Sequence, residues 1–151
     1  RRGGTPTAAG IVGLPVALRS TDDERVAEND RIARLRDCLV DGLQDGLDDV
    51  TETVDRAHKV AGSAHVCIGG IENEALLYLL DEAEVCASAA SACASGAMGP
   101  SHVLAAMGVP NERARGALRW TLGRTSTEAD VARATSVIID AVRRLRTGRA
   151  A

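Results

Sequence analysis

The sequence predicts an α+β fold in which helices pack against one face of a small, mainly antiparallel sheet, preceded by a long bridging helix. Three observations support this prediction: an amphipathic stretch over residues 22–46, several short segments that alternate or end in glycine, and an amphipathic C-terminal segment. The predicted order is helix, helix, strand, strand, helix, strand, helix, strand, helix. With one Trp, one Tyr and no Phe among 151 residues, the core must consist of aliphatic side chains.

The first third of the sequence is predicted to form helices after a loop at residues 1–7. Gly and Pro residues indicate this loop. One helix is expected to begin near Thr7. A second and longer helix is expected over residues 22–46, where acidic residues at the start favour the helix dipole. Its apolar residues recur at steps of three, four and seven: Val26, Ile32, Leu35, Leu39, Leu43 and Leu47.

The middle of the chain predicts two strands, VTETV (50–54) and HVCIGGI (65–71), with a polar connection between them. A helix follows at residues 72–83, and VCAS (85–88) predicts a short strand. A short helix is then expected from Pro100 to Met107. In ALRWTL (117–122), alternate side chains are expected to point to opposite faces of the sheet. The last helix is expected to begin at residues 126–127, where Thr127 and Asp130 have the spacing of a capping box.

Composition and charge exclude several classes of function. The formal net charge is −3, and the arginine cluster at residues 143–149 is short and terminal, so no nucleic-acid partner is expected. No apolar run approaches the roughly 20 residues that span a bilayer, and no secretory signal opens the chain. The spacings of the four cysteines match no secreted disulfide framework, so a reducing, cytoplasmic location is expected.

The first candidate for chemistry is Cys93, in the stretch SAASACASGAMGPSH (88–102). Small side chains bury little surface and leave a backbone mobile. The stretch is therefore either a linker that contains a thiol or a loop that carries a reactive thiol. A metal site that joins Cys93 to Cys86 and His102 has no usual zinc spacing, and no metal is expected.

Arg119 and Thr5 are the other candidates. An arginine in the centre of an apolar strand suits bidentate binding of a carboxylate, but from the residues alone an exposed strand arginine without a ligand is the preferred interpretation. Thr5 follows two glycines and precedes a helix, so it suits either phosphate binding or a simple helix cap. His65 is expected to be a packed or edge histidine, and Cys38 and Cys67 are expected to be small buried residues.

Six sequence blocks, in order along nearly the whole chain, resemble the NifS/IscS-type cysteine desulfurases. In that family, the active-site segment has the sequence S-G-S-A-C-x-S-G, followed by E-P-S-H-V-L and A-M-G. A later strand has the sequence L-R-F-S-L-G-R. An R-S-G-T loop and an I-V-G helix come before these motifs. The corresponding blocks here are SACASG (91–96), PSHVL (100–104), AMG (106–108), LRWTLGR (118–124), RGGT (2–5) and IVG (11–13).

The resemblance implies the C-terminal part of a class V aminotransferase-like enzyme that depends on pyridoxal phosphate. Such enzymes convert L-cysteine to L-alanine and leave the sulfur as a persulfide on the loop cysteine, here Cys93. Arg119 would then bind the substrate α-carboxylate. Thr5 would contact the cofactor phosphate across a homodimer interface. The resemblance also implies a sulfur-acceptor protein, such as an iron–sulfur scaffold.

The domain organisation implied by the resemblance divides the chain at residue 21. Residues 1–21 would end the large cofactor-binding domain and begin the bridge. Residues 22–151 would form the small domain, with an active-site loop at about 86–99. The family's cofactor lysine precedes the R-S-G-T loop, whereas Lys59 follows Thr5 in the polar connection and is expected to be a solvated surface residue. The chain alone is therefore expected to be inactive.

Two departures from the family pattern lie in the active-site segment, where Ala90 replaces a glycine and Gly99 replaces a glutamate. Two alternative functions remain open on the sequence. The chain could be a non-catalytic module that relays a persulfide on Cys93 or binds a desulfurase's partners. Selenocysteine lyase activity, which is close in mechanism, is the other alternative.

Overall fold

The structure is a computed structural model, and it describes residues 3–5, 7–89 and 101–148. Over these ranges it contains the predicted mixture of helices with a small antiparallel sheet, which confirms the α+β class. The helices are α1 (Ala8–Gly46), α2 (Asn73–Glu82), α3 (His102–Ala106), α4 (Asn111–Ala114) and α5 (Glu128–Gly148). The strands are β1 (Val50–Glu52), β2 (Ser63–Ile68), β3 (Ser88–Ala89) and β4 (Ala117–Thr121).

Helix α1 is one continuous helix of 39 residues, so the prediction of two successive helices was wrong. The polar residues at the expected break fit within the helix, because the Thr21 hydroxyl donates to the carbonyl of Ala17 four residues earlier (2.8 Å). The C-terminal half of α1 packs on the core. Its N-terminal half exposes 61–67% of each large apolar side chain: Ile11, Val12, Leu14, Val16, Leu18 and Val26.

The sheet has the strand order β1-β2-β4-β3, and every neighbouring pair is antiparallel. Strand β4 therefore lies between β2 and the short β3. The three predicted strands before residue 100 are present, but each is shorter or shifted by a few residues. Strand β4 begins at the residue predicted from the alternation and ends one residue earlier.

The main core lies between one face of the sheet and helices α1, α2 and α5. Its fully buried members are aliphatic, as the composition predicts: Val40, Leu43, Val66, Ile68, Leu76, Leu80, Leu118, Ile138 and Val142. A smaller cluster of Cys67, Leu104, Ala114 and Ala117 joins α3 and α4 to the opposite face. Helices thus cover part of both faces, whereas the sequence predicted helices on one face.

Helix α5 begins with the predicted capping box. The backbone N–H of Thr127 donates to the carboxylate of Asp130 (2.9 Å), and the N–H of Asp130 donates to the Thr127 hydroxyl (3.2 Å). The Thr127 hydroxyl also donates to the Asp130 carboxylate (2.7 Å), and this bond together with the one from the Thr127 N–H lowers the pKa of Asp130. Within the described ranges, no helix combines the length and apolar character that crossing a bilayer requires.

Candidate functional site

Arg119 lies at the centre of β4, with a residue of a neighbouring strand on each side. The strand register pairs it with His65 of β2 and with Ser88 of β3. We call His65, Arg119 and Ser88 the arginine row. The guanidinium is exposed and makes no hydrogen bond or ion pair with any residue that the structure describes. The arginine row is therefore an open sheet face with an unpaired cation at its centre.

The residues around Arg119 fix its backbone. Leu118 and Trp120 are 0% and 4% exposed in the main core, so the side chain between them must point to the opposite face. Ala117 shares that opposite face and packs in the smaller cluster. The alternation seen in the sequence is confirmed, because both faces of β4 have the predicted members.

His65 is half-buried beside Arg119, and its ring is anchored. Its Nδ1 lies 2.7 Å from the hydroxyl oxygen of Thr53, and that hydroxyl also lies 3.2 Å from the carbonyl oxygen of His65. Burial lowers the pKa of His65 below its ordinary value of 6.5, and the charges of Arg119 and Lys59 lower it further. The imidazole is therefore neutral at pH 7. The sequence indicated a packed or edge histidine but not this proximity to Arg119.

Cys93 lies outside the described residues, but the two ends of its segment are described. On one side, Ala89 of β3 pairs with Leu118, next to the arginine row. On the other side, the chain resumes at Ser101 and continues into α3, whose Leu104 packs against Ala117. Ala117 and Arg119 occupy the same face of β4. Both ends of the segment that carries Cys93 thus adjoin the face that exposes Arg119.

Thr5 is exposed and lies three residues before the start of α1. Gly4 before it has φ +95°, a conformation that favours glycine. The helix cap is Thr7, not Thr5, and its side chain makes no capping hydrogen bond. Glu24, farther along α1, pairs with Arg124 (2.8 Å). At 1.5 Å per residue, the helix from Ala8 to Glu24 is about 24 Å long. Among the described residues, no hydrogen bond or ion pair joins Thr5 to Arg119.

Three described cysteines are free thiols. Cys67 is buried as predicted, and burial raises its pKa. Cys38 is exposed on α1, so its predicted burial was wrong: it occupies the outer side of the helix stripe. Cys86 is also exposed. Among the described residues, no group of three His, Cys, Asp or Glu side chains is arranged to bind a metal ion, but a site that includes Cys93 lies outside these residues.

Lys59 is the only lysine in the sequence, and the prediction of a solvated surface residue was wrong. Its side chain is only 9% exposed and forms an ion pair with Glu52. The Glu52 carboxylate also accepts a hydrogen bond from Nε of Arg56 (3.0 Å). The Arg56 guanidinium forms a second ion pair with Asp41 of α1. Burial lowers the pKa of Lys59. Charged groups of separate elements converge at this edge of the sheet, which no local pattern indicates.

Among the described residues, His65, Arg119 and Ser88 line neither of two cavities of about 300 Å³. A cavity of about 300 Å³ lies elsewhere, between the end of β4 and the start of α5. It is lined in part by Leu39, Trp120 and Val131 and does not include Arg119 or His65. The arginine row is therefore an open surface, to which another part of the protein or a ligand could bind.

The antiparallel sheet, the exposed central arginine and the adjoining cysteine segment agree with a family assignment. Residues 1–134 match the aminotransferase class-V family model, and the chain belongs to that family.

Within the family, the chain is similar to cysteine desulfurases. It is 44% identical over 146 residues to an IscS-like cysteine desulfurase of Mycobacterium tuberculosis, covering 96% of this chain and 37% of the relative. It is 36% identical over 146 residues to the cysteine desulfurase NifS of Azotobacter vinelandii, with 97% and 36% covered. A solved NifS-like protein is 26% identical, with a TM-score of 0.78 over 94% of this chain and 35% of that structure. The chain thus spans a little over a third of the length of these relatives.

Proposed function

We propose that the chain is the C-terminal part of a cysteine desulfurase and provides both its substrate-carboxylate site and its sulfur-accepting cysteine. Arg119 would bind the α-carboxylate of L-cysteine. Cys93 would accept the sulfur as a persulfide, and L-alanine would leave. The sulfur would pass to an acceptor protein such as an iron–sulfur scaffold. The three described cysteines are free thiols, which supports a reducing, cytoplasmic setting.

The observation that carries this proposal is the unpaired guanidinium of Arg119. Among the described residues it has no carboxylate partner, although it is held at the centre of a sheet by buried neighbours on both sides. A planar guanidinium on a rigid strand suits bidentate binding of a carboxylate. The segment that carries Cys93 begins one residue after Ala89, whose partner in the sheet is Leu118. A carboxylate bound by Arg119 would therefore lie close to the start of that segment.

The proposed reaction balances without an external oxidant. The thiolate of Cys93 attacks the sulfur of the substrate and forms an S–S bond, while the C–S bond of the substrate breaks. The electron pair of that bond stays with the former Cβ, which takes up a proton and becomes the methyl group of alanine. The products are L-alanine and a persulfide on Cys93. Arg119 keeps the substrate oriented throughout, because it contacts only the carboxylate.

Pyridoxal phosphate, when bound, would supply the electron sink that makes the C–S bond labile. Lys59 does not fit the role of the cofactor lysine, because its side chain is buried in an ion pair with Glu52. Thr5, exposed after a glycine at φ +95°, fits contact with the cofactor phosphate. We therefore propose that the cofactor lysine lies outside these 151 residues and that the chain alone is inactive.

The proposed enzyme is a homodimer with two domains. Residues 1–21 would end the large domain and begin the bridge, and residues 22–151 would form the small domain with the loop at about 86–99. The exposed apolar face of α1 supports the first boundary, because side chains such as Leu14 and Val16 are more than 60% exposed and favour burial against another part of the protein. Thr5 would contact the cofactor phosphate in the site of the second subunit, as the family resemblance implies.

The proposal is tested by alanine production from L-cysteine in the holoenzyme that contains residues 1–151. Arg119→Gln removes the positive charge and the two parallel N–H donors of the guanidinium. Arg115→Gln is the matched control, because Arg115 is also exposed but pairs with Glu72 (3.5 Å). We expect Arg119→Gln to lower kcat/KM at least about a hundredfold, the loss of a charge-assisted contact of about 3 kcal/mol. Arg115→Gln is expected to stay within about twofold of wild type.

A second pair of variants tests the sulfur acceptor. Cys93→Ser is expected to abolish sulfur transfer, whereas Cys86→Ser, which changes an exposed cysteine seven residues earlier, is expected to retain it. Normal alanine production and transfer by both Arg119→Gln and Cys93→Ser would refute the proposed function. Sulfur uptake on Cys93 from a separate desulfurase, without alanine production by the holoprotein, would instead identify a relay module.

A further inference from the structure

We propose that His65 is a positioning residue for Arg119: its ring, anchored to Thr53, accepts a hydrogen bond from the guanidinium when the substrate carboxylate is bound, a bond that this structure does not contain. This inference rests on the function proposed above. It assigns a second residue of the arginine row to the recognition of L-cysteine. It also explains how an exposed arginine on an open sheet face could present a defined geometry.

The placement of the two residues carries the argument. His65 and Arg119 are directly paired across β2 and β4, and both side chains stand on the same face. Directly opposed residues in an antiparallel pair have Cβ atoms about 4.5–5.5 Å apart, so their side chains interact. On the other side of Arg119, the partner is Ser88, whose short hydroxyl donates to the carbonyl of Ala89 (3.2 Å). His65 is therefore the larger ring-bearing neighbour of the guanidinium.

The hydrogen bonds of Thr53 orient the ring. The Thr53 hydroxyl oxygen lies 2.7 Å from Nδ1 of the ring and 3.2 Å from the carbonyl oxygen of His65. The proposal uses the tautomer in which Nδ1–H donates to this hydroxyl and the hydroxyl donates its single proton to the carbonyl. In that tautomer Nε2 is an acceptor, which a neighbouring guanidinium donor favours. Among the described residues, no other hydrogen bond to the ring is formed. A neutral ring with a free Nε2 acceptor is the group that a neighbouring guanidinium can donate to.

The electrostatics agree with a neutral ring. Burial, Arg119 and Lys59 all lower the pKa of His65, so the imidazole does not add a second cation beside the guanidinium at neutral pH. Arg119 has five N–H donors, and a carboxylate takes two of them. Donors remain for Nε2 after the substrate has bound.

Amide substitutions separate this role from a merely structural one. Glutamine can offer an amide oxygen near the position of Nε2, whereas asparagine reaches only the position of Nδ1. If His65 acts through Arg119, His65→Gln should retain function and His65→Asn should not. If His65 only stabilises the contact with Thr53, the opposite order is expected. Thr53→Val and Thr53→Ser test the anchor in the same way, since only serine keeps the hydroxyl.

The experiment is steady-state kinetics of alanine production by the holoenzyme that contains residues 1–151, with cofactor occupancy and thermal unfolding measured for every variant. We expect His65→Ala, His65→Asn and Thr53→Val to raise KM for L-cysteine about five- to tenfold while kcat changes less than twofold. His65→Gln and Thr53→Ser should stay within about twofold. The matched control is His58→Asn, because the His58 side chain is 79% exposed.

The two proposals fail in different ways. If Arg119→Gln lowers kcat/KM while His65→Ala and His65→Asn leave KM unchanged, the positioning role is wrong and the desulfurase function stands. If His65→Asn rescues KM and His65→Gln does not, the role is structural. If Arg119→Gln itself has no effect, the proposed function fails first. A variant that loses cofactor or folds poorly is replaced in the comparison by Thr53→Val, which leaves the ring in place.

Discussion

Replacing Gly116 by alanine should separate β4 from β2 at the start of the strand that carries Arg119. A Cβ on Gly116 would lie 2.9 Å from the carbonyl carbon of Ile68 and closer still to its oxygen, nearer than real Cβ atoms approach. The obstacle is backbone, so no side-chain rotation relieves it. Gly116 does not have a positive φ, and the cost therefore comes from the contact alone.

The magnitude follows from the groups that must move. Opening the strands breaks the hydrogen bond from the Ile68 N–H to the Gly116 carbonyl (3.0 Å), in a region where Ile68 is fully buried. An unsatisfied buried backbone group costs about 1–3 kcal/mol, and the shift of a close-packed core costs about 1–3 kcal/mol more. We expect Gly116→Ala to lower the free energy of unfolding by about 3 kcal/mol, a large part of the usual 5–15 kcal/mol.

The assay is urea unfolding of the 151-residue chain, followed by the fluorescence of Trp120 on the same strand. The matched control is Gly123→Ala, where a Cβ would meet nothing within 4 Å. That variant should be neutral or more stable by up to about 1 kcal/mol, because alanine lowers the entropy of the unfolded chain. The reasoning would be refuted if Gly116→Ala unfolded at the same urea concentration as Gly123→Ala with an unchanged m-value.

The remaining predictions concern stability. Trp120→Phe should change the free energy of unfolding by less than about 1 kcal/mol in urea titrations, because the buried indole N–H has no partner among the described residues, whereas Trp120→Ala should lose about 3–5 kcal/mol. Thr127→Ala should lose about 1 kcal/mol through the N-terminal cap of α5, a result that an unchanged urea midpoint would contradict. His65 has a lowered pKa in the folded chain, so the unfolded chain binds its proton more tightly. The contribution of His65 to the free energy of unfolding should be fully present above about pH 6.5 and should decrease as the pH falls below it. Urea midpoints measured across this pH range should decrease less in His65→Gln than in wild type, whereas His58→Asn should match wild type.

The sequence predicted the features that depend on local pattern. The alternation of ALRWTL predicted which side chains of β4 face the core, and the spacing of Thr127 and Asp130 predicted the capping box. The fold class followed from the order of short alternating and amphipathic segments. Each of these signals is contained within a few neighbouring residues, which is why sequence periodicity reveals it.

The features that the sequence did not reveal depend on contacts between distant segments. His65 and Arg119 are neighbours only because β4 inserts between β2 and β3 in the sheet, and a one-residue change in register would separate them. Lys59 pairs with Glu52 of β1, and Arg56, which also contacts Glu52, pairs with Asp41 of α1, so the surroundings of Lys59 include a separate element of the fold. Two helices were predicted where the structure has one continuous helix from Ala8 to Gly46.

The central claim is that Cys93 accepts sulfur from an L-cysteine whose carboxylate is bound by Arg119. Its most direct test is mass spectrometry of the holoenzyme that contains residues 1–151, after one exposure to L-cysteine and blocking of free thiols. The account predicts one additional sulfur atom on the peptide that contains Cys93, and its near-complete loss in Arg119→Gln but not in Arg115→Gln. Sulfur on Cys86 instead, or equal sulfur on Cys93 in Arg119→Gln, would contradict it.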